Sequence, residues 1–480
     1  MKLASATASL RRGATVVATL LACMGVGATA ASAFTRGFVD DVWFTQTPAG
    51  DATWIAKTKA TEAKIVQIEV DWAGLEPNAP TSLSSTRSAS SSAYDFSYLD
   101  ARVKEIVGSG LQPVFLITDA PRWAEGSGGT AADYATGGYE PNAIAFGDLG
   151  QALAKRYSGT YPDPSRPGRR LPRVRYMQAW GEANMNVHLS PQWSRVNGHV
   201  VNSGAIIYRG MLNAFYRGVK AGDRSTVVLA SGFEAYGDAP FQGLQRTHPV
   251  TFLENMLCLD GKLKRTVCPG GPAHFDVVTS DPYDSFSPTT HAVSNLDASA
   301  PDLGRLTRVV RAGLKAGTLL PRRRKPLWVT EFGYDSNPPN RMPGTVSTAT
   351  QARWLEQGFY VFWHEGVSVA MWYLVRDQTP PYATNYFSGV YFRNGRPKPS
   401  YTAYRFPFVV MPDGKVTQVW GITPVNGAVS VQVKVGGGWR TLRTFRRRAG
   451  SIFKYTSSTL ARGSYRAQAS GGQRSLVWKY

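Results

Sequence analysis

Residues 176–186 read YMQAWGEANMN, a hydrophobic run that ends in the carboxylate of Glu182, between Gly181 and Ala183. Strands of this kind usually stop in a turn built from Gly, Asn or Asp, so a glutamate at the exit needs a reason. Residues 326–331 repeat the arrangement, because PLWVTE is another apolar run that ends in Glu331. Two strand ends that each deliver a carboxylate predict one site where those ends meet.

Short apolar, β-rich segments recur along the chain, and most are followed by a helical pattern. In residues 97–110, for example, Leu99, Val103 and Ile106 share one helix face. The eight predicted strands are residues 37–44, 64–70, 112–118, 174–180, 225–231, 275–280, 326–331 and 367–374. Eight strands alternating with helices predict an α/β protein with a (β/α)8 barrel. A doubly wound open sheet is the alternative, but its Gly-rich phosphate turn does not follow the first strand.

The pattern changes near residue 410, where short segments alternate with turn residues and show no helical period. We therefore predict a barrel over residues 34–408 and a small antiparallel β-domain over residues 409–480, packed on the barrel. The end of the chain is strongly basic, because residues 401–480 contain 13 Lys and Arg against a single acid, Asp413. Such a surface attracts polyanions, and an anionic cell-wall polymer is the expected partner rather than nucleic acid. A solvated β surface is the alternative.

The first 33 residues are typical of an export signal. Lys2, Arg11 and Arg12 precede an apolar centre, and Ala31-Ser32-Ala33 forms a small-residue cleavage site. We therefore expect a secreted protein, with lipoprotein anchoring at Cys23 as the alternative. No later segment reaches the roughly 18 apolar residues that a membrane span needs.

Removing the signal leaves two cysteines, Cys258 and Cys268, ten residues apart. In an oxidising compartment, such a pair closing a short loop predicts a disulfide. No His or further Cys has zinc-ligand spacing to the pair. The chain also has no GxxxxGK[ST] phosphate loop and no GxSxG nucleophile turn. The sequence thus predicts neither a metal site nor a cofactor.

The two glutamates suggest a specific chemistry. In a barrel, the carboxyl ends of the strands form the active site, so Glu182 and Glu331 can face each other across a substrate. Cleaving a glycosidic bond requires such a pair, one carboxyl protonated and the other ionised. Aromatic side chains near these ends are natural platforms for sugar rings; those on the strands are Trp180, Trp328 and Trp372, and those in the adjoining loops are Trp123 and Trp193.

These motifs resemble the clan A glycoside hydrolases, and within that clan the chain is most similar to xylosidase- and cellulase-like secreted actinobacterial proteins. The resemblance covers the mature chain to about residue 408. It rests on several motifs in the expected order: VDWAGLEP (70–77), APRWA (120–124), WGEAN (180–184), DPY (281–283), WVTEFG (328–333), Trp372 and GRPKPSYTAY (395–404).

The resemblance implies a role for each of four residues. Glu182 would be the general acid/base and Glu331 the nucleophile of a retaining double displacement. Tyr283 would donate a hydrogen bond to the nucleophile, and Trp372 would form the floor of the sugar subsite. A retaining mechanism predicts carboxyl groups about 5–5.5 Å apart.

Two positions depart from the family pattern. Gly181 stands where the family commonly has an Asn that contacts the sugar 2-hydroxyl, a role that Asn184 or Asn186 could take over. Asp281 stands where the family often has His. These departures support an alternative in which the barrel is a non-catalytic carbohydrate- or cell-wall-binding scaffold. Transglycosylation by the same two glutamates is a third reading.

Overall fold

Eight parallel strands form the centre of the molecule, and all eight predicted strand segments are present. Their bounds are β1 Thr35–Val39, β2 Ile65–Asp71, β3 Gln112–Thr118, β4 Tyr176–Ala179, β5 Val227–Leu229, β6 Val278–Ser280, β7 Leu327–Val329 and β8 Val367–Tyr373. They are hydrogen-bonded in the order β5-β4-β3-β2-β1-β8-β7-β6. The two outer strands of this order meet at a parallel bridge between Leu229 and Val277. The sheet therefore closes on itself, which confirms the predicted (β/α)8 barrel.

The computed structural model describes residues 34–39, 48–284 and 286–480. The predicted export signal, including Cys23 and the cleavage site at residues 31–33, lies outside the described residues. The same holds for residues 40–44 of the first predicted strand. Everything described belongs to one compact unit, Ala33–Tyr480.

Helices connect the strands and cover the outside of the barrel. Their bounds are α1 Pro48–Ala60, α2 Ser97–Gly108, α3 Ala143–Arg156, α4 Ser203–Gly222, α5 Pro249–Met256, α6 Gly304–Ala316, α7 Thr348–His364 and α8 Pro399–Arg405, with a one-turn helix at Trp72–Leu75. Polar side chains at three helix starts accept backbone N–H groups that have no partner inside the helix. Asn142 accepts from Ile144 and Ala145 at α3, and Asn202 and Ser347 serve α4 and α7. Local sequence thus fixes where these helices begin.

Two hydrophobic layers hold the barrel together because successive residues of a strand point to opposite faces. The inner layer fills the barrel and comprises Val39, Ile65, Val114, Leu229, Val277, Trp328, Val369 and Met371. The outer layer, which includes Phe38, Val66 and Trp372, packs between the strands and the helices. Which layer a side chain joins decides whether it can reach the mouth of the barrel.

Smaller elements decorate this framework. A hairpin pairs Trp193–Val196 with His199–Asn202, and two short parallel pairs join Ala273–His274 to Leu319–Leu320 and Ser336–Asn337 to Val346–Ser347. Single 3-10 turns occupy Leu83–Arg87, Arg122–Ala124, Asp133–Thr136, Ala300–Asp302 and Ser470–Gly472. Cys258 and Cys268 form a disulfide, as predicted.

The C-terminal region is antiparallel, as the sequence predicts. Its strands are β9 Phe408–Asp413, β10 Val416–Ile422, β11 Gly427–Val435, β12 Gly438–Arg447, β13 Ile452–Ser457, β14 Ser464–Ala469 and β15 Trp478–Lys479. They form two sheets, β9-β10-β13 and β12-β11-β14-β15. Trp420 of β10 packs against Trp363 of α7, with 5.9 Å between ring centroids, so this region rests on a barrel helix. The domain boundary near residue 408 stays a prediction.

Across the described residues, no helix combines the length and the apolar character required for a membrane span.

Candidate active site

Glu182 leaves the barrel at the carboxyl end of β4, in a turn that its neighbours hold in place. The backbone turns sharply, because Trp180 and Glu182 both have positive φ, 77° and 33°. Trp180 is buried, and its Nε1–H donates to the carbonyl oxygen of His188 at 2.8 Å. The Ala183 N–H donates to Ser231 Oγ at 2.9 Å. These bonds on both sides fix where the Glu182 carboxylate points.

Asn184 anchors the same turn and is not part of the site. Its side chain is fully buried. Its Nδ2 donates to the carbonyl oxygens of Glu234 and Thr247, and its Oδ1 accepts the Glu234 N–H at 3.0 Å. With its amide used in this way, Asn184 holds the β4 and β5 ends together and does not replace the amide that Gly181 lacks.

Glu331 follows β7, and Tyr283 follows β6 beside it. The Tyr283 hydroxyl donates to Glu331 Oε2 at 3.1 Å. β6 and β7 are neighbours in register, with Ser280 opposite Val329, so the two residues leave adjacent strand ends. The structure therefore brings Tyr283 to Glu331.

Glu182 and Glu331 line one pocket of about 230 Å³ at the mouth of the barrel. The other residues around it are Val39, Gln67, Glu69, Leu116, Thr118, Asp119, Gly181, His188, Tyr373 and Tyr386. The two carboxyls arrive from β4 and β7, which lie on different sides of the barrel order. A substrate in this pocket would lie between them.

None of the five tryptophans predicted as sugar platforms lines this pocket. Trp372 is fully buried, donates Nε1–H to the Ser388 carbonyl oxygen at 2.8 Å and packs edge-on against Phe332. Trp180 packs against Phe146, and Trp123 is half-buried, with its Nε1–H on the carbonyl oxygen of Glu76. All three belong to or pack against the outer layer. Their rings therefore stabilise the barrel wall instead of facing the pocket.

The aromatic rings that line the pocket belong to two tyrosines instead. Tyr373 is the last residue of β8, and Tyr386 belongs to the loop that follows; their ring centroids are 5.0 Å apart. Val369 and Met371 face the barrel interior, so strand alternation points Tyr373 into it as well and turns Trp372 towards the helices.

The ionisation of Glu331 is dominated by its withdrawal from water. Burial raises the pKa of Glu331 well above its usual value, and the charges of Asp281 and Glu182 raise it further. Burial, followed by the charge of Glu182, also raises the pKa of Asp281 to about 8. Asp281 is 1% exposed and accepts the Thr330 hydroxyl at 2.6 Å. At neutral pH Asp281 therefore keeps its proton, which removes one negative charge from the surroundings of Glu331.

His188 is a site residue that the sequence analysis did not single out. Its Nε2 lies 3.2 Å from Glu182 Oε2. Burial lowers the pKa of His188, but the hydrogen bond and charge of Glu182, with the charges of Asp119 and Glu69, outweigh burial and raise the pKa overall. The imidazole follows Glu182 on the same turn, so its only sequence signal is proximity along the chain.

The wall beside these residues is polar and comes from β2 and β3. Gln67 and Glu69 lie on β2, Thr118 is the last residue of β3, and Asp119 follows it. Asp71, the last residue of β2, caps the helix Trp72–Leu75 by accepting the Gly74 N–H. Nowhere in the described part of the chain do three or more His, Cys, Asp or Glu converge as a metal site.

Comparison with known proteins supports the fold. No protein-family model matches the chain, and no curated protein matches it significantly. Among solved structures, a family 39 glycoside hydrolase from Bacteroides cellulosilyticus WH2 has a TM-score of 0.53 at 14% identity, covering 88% of this chain and 80% of that one. A GH39 β-xylosidase from Caulobacter crescentus has a TM-score of 0.51 at 13% identity, covering 89% and 96%. At these identities the likeness concerns the fold, so this chain has the barrel architecture of those enzymes.

Proposed function

We propose that the protein is a secreted, retaining glycoside hydrolase that cleaves an O-glycosidic bond of an oligo- or polysaccharide. One observation carries the proposal: Glu182 and Glu331 line the same pocket at barrel strand ends, with the Tyr283 hydroxyl on Glu331. Two carboxyl groups across one pocket are what glycosidic cleavage requires. Secretion rests on the predicted signal at residues 1–33.

In the proposed reaction, Glu331 attacks the anomeric carbon while Glu182 gives its proton to the leaving oxygen. The C–O bond of the substrate breaks, and a glycosyl ester forms on Glu331. Glu182, now ionised, takes a proton from water, and the resulting hydroxide displaces Glu331 and regenerates both carboxyls. His188, 3.2 Å from Glu182, stabilises the ionised form of Glu182 in this second half.

The nucleophile must be ionised, and its surroundings make this possible in two ways. The Tyr283 hydroxyl donates to Glu331 Oε2 and so favours the carboxylate. Asp281 retains its proton at neutral pH, so it does not place a second negative charge beside Glu331. Burial also raises the pKa of Glu331, and these two features act against that effect. In the proposed reaction the buried pair carries a single negative charge, which the Tyr283 hydrogen bond favours on Glu331.

The test is hydrolysis of a panel of aryl glycosides, beginning with β-xylosides because two of the solved structures similar in fold are β-xylosidases. Glu331→Gln should abolish turnover on every leaving group, since no ester can form. Glu182→Gln should lower kcat/KM for alkyl and sugar leaving groups by about 10²–10⁴-fold but spare kcat/KM for acidic phenols, which need little protonation. On acidic phenols kcat should still fall, because Glu182 no longer activates the water that hydrolyses the ester on Glu331. The matched control is Glu62→Gln, which changes a half-buried acid before the start of β2.

NMR of the first product gives the stereochemistry, and a retained anomer supports double displacement. Inversion would contradict the retaining mechanism. If the panel shows no turnover but a glycan binds in the pocket, the protein is a carbohydrate-binding barrel instead of an enzyme.

We further propose that the C-terminal β region docks on an anionic cell-wall polymer. None of the 12 Lys and Arg in residues 409–480 forms an ion pair with any described residue. Strand β12 is an edge of its sheet, and four of its arginines are exposed, as is the residue that follows; the five are Arg440, Arg443, Arg446, Arg447 and Arg448. A strand edge that carries several arginines without ion-pair partners is complementary in charge to a polyanion. Binding a polyanion would supply these arginines with anionic partners.

Cosedimentation with bacterial cell walls, intact or chemically stripped of their anionic polymer, tests this docking. The double variant Arg446→Gln/Arg448→Gln should sediment less than wild type, and salt should release the wild-type protein. Arg322→Gln/Arg324→Gln removes the same charge from an exposed arginine run on the barrel and should sediment normally. Equal loss in both variants, or binding to stripped walls, would contradict docking through this edge.

A further inference from the structure

One wall of the pocket carries more negative charge than the proposed reaction needs. Besides Glu182 and Glu331, the pocket is lined by Glu69 and Asp119, from β2 and β3. No Lys or Arg is among its described lining residues, and its one imidazole, His188, is already paired with Glu182. This occurs in a chain with a formal net charge of +21. The negative charge is thus a local property of the pocket.

Gln67 shows that this wall is built to hold something. It lies on β2 between Val39 and Val114 in register, within the inner layer of the barrel. The side chain is 1% exposed and lines the pocket, yet neither its Nε2 nor its Oε1 has a hydrogen-bond partner among the described residues. A buried amide without partners is destabilising, because it has given up its hydrogen bonds to water and gained none in return. A ligand with hydroxyl groups would satisfy both atoms.

The hydroxyl of Thr118 lies between two carboxylates of this wall. Its oxygen lies 2.7 Å from Glu69 Oε1 and 3.2 Å from Asp119 Oδ2. A hydroxyl has one hydrogen and can donate to only one of these oxygens at a time. The other carboxylate oxygen therefore faces a lone pair. A positively charged donor placed between the two carboxylates would remove this conflict.

We propose that Glu69 and Asp119 select the sugar by its charge. The pocket prefers a sugar with a free amino group, whose ammonium group lies between these two carboxylates while Gln67 binds a neighbouring hydroxyl. An uncharged sugar binds less well, and a uronic acid is rejected. This inference deepens the proposed function by naming the substrate class, and for its site it rests on that function.

Binding of monosaccharides tests it without requiring catalysis, since a monosaccharide has no glycosidic bond to cleave. Calorimetry near neutral pH would compare D-glucosamine, D-glucose and D-glucuronate, with the galacto-configured series beside them. We expect the amino sugar to bind at least about tenfold tighter than its uncharged counterpart, because two carboxylates face one ammonium group, and the uronate not to bind. Added salt should narrow the preference.

Variants locate the preference in the wall. Glu69→Gln, and separately Asp119→Asn in case one of them does not fold, should bring the amino and uncharged sugars to within about twofold of each other. Glu62→Gln lies beyond the other end of β2 and should keep the wild-type ratio. An uncharged sugar that binds as tightly as the amino sugar, a ratio unchanged in both wall variants, or no binding by any sugar would overturn the proposal.

The two proposals fail separately in this design. Selective glucosamine binding without hydrolysis of any glycoside would overturn the hydrolase but leave the charge selection intact. Hydrolysis of neutral glycosides together with equal binding of glucosamine and glucose would do the reverse.

Discussion

Asp281 is a single residue around which much of the site is built. A Cβ atom added to Gly232 would lie 1.8 Å from Asp281 Oδ2, so the neighbouring turn needs a glycine to admit this carboxyl. The Thr330 hydroxyl donates to its other oxygen at 2.6 Å. Such a fitted position suits a neutral acid, whose proton reduces the negative charge beneath Glu331.

Asp281→Asn should stabilise the protein, and more so as the pH rises. Burial raises the pKa of Asp281 to about 8 in the folded state, whereas in the unfolded chain it is about 3.9. Between these values only the folded state holds the proton, so wild-type stability falls with rising pH. The amide does not titrate. Thermal unfolding from acidic to alkaline pH should show the difference in Tm growing across this window; a difference that is constant or shrinks would contradict the assigned protonation.

Glu182→Gln should lower the pKa of His188. The hydrogen bond and charge of Glu182 are the main influences that raise this pKa, and an amide retains the size of the carboxyl without its charge. Titration of the imidazole by NMR, with the signal assigned through His188→Gln, measures the shift directly. Glu62→Gln should leave the titration of His188 unchanged. An unaltered pKa in Glu182→Gln would mean that the two side chains do not interact in solution.

Some residues of the site could be predicted from the sequence and others could not. The positions of Glu182 and Glu331 followed from strand ends, and that of Tyr283 from the family resemblance. In the structure the two glutamates line one pocket, and the Tyr283 hydroxyl donates to Glu331. Gly181 was noted as a departure, and the structure gives no backbone reason for it, because its φ is not positive and an added Cβ would make only ordinary contacts, the nearest at 3.7 Å. Gln67 carried no signal, since an amide within an apolar strand does not reveal its unpaired state.

At the scale of elements, strand β8 shows what the sequence could not settle. The segment VSVAMWYL is apolar on both faces, as barrel strands covered on both sides are. Its existence and its end were therefore predictable, but alternation could not show which aromatic residue faces inward. The packing settles it: Met371 joins the inner layer and Trp372 the outer layer, which leaves Tyr373 at the pocket.

Trp372→Phe should therefore lower the stability of the protein, whereas Tyr373→Phe should change the KM for the substrate. Trp372→Phe removes one of the two donors to the Ser388 carbonyl oxygen, the other being Gln351 Nε2, and opens space in the outer layer. The free energy of unfolding should therefore fall by about 2 kcal/mol. Tyr373→Phe lies at the pocket and should change KM while nearly preserving stability. Urea unfolding and glycoside kinetics on both variants separate the two effects. A large KM change in Trp372→Phe without loss of stability would restore that residue to the sugar subsite.

For the whole molecule, the continuity of the core matters most. The buried residues of the barrel's outer layer and those of the C-terminal sheets belong to one hydrophobic cluster. Phe34 and Trp363 of the barrel region both contact Trp420 of β10, and the Phe408 N–H donates to the buried Glu356 of α7. The change of pattern near residue 410 predicted a second region, but sequence alone could not show that the two regions share a core.

We therefore expect the barrel and the C-terminal sheets to unfold together. Trp420→Ala should lower the free energy of unfolding by about 3–5 kcal/mol, because it empties a fully buried site between the two regions. Calorimetry should show a single transition that moves to lower temperature in the variant. Hydrogen exchange should report the same loss of protection in β3 as in β10, since a shared core transmits the loss to both. Two separate transitions, or a variant whose β10 exchanges freely while β3 stays protected, would mean that the sheets form an independent domain on a self-sufficient barrel.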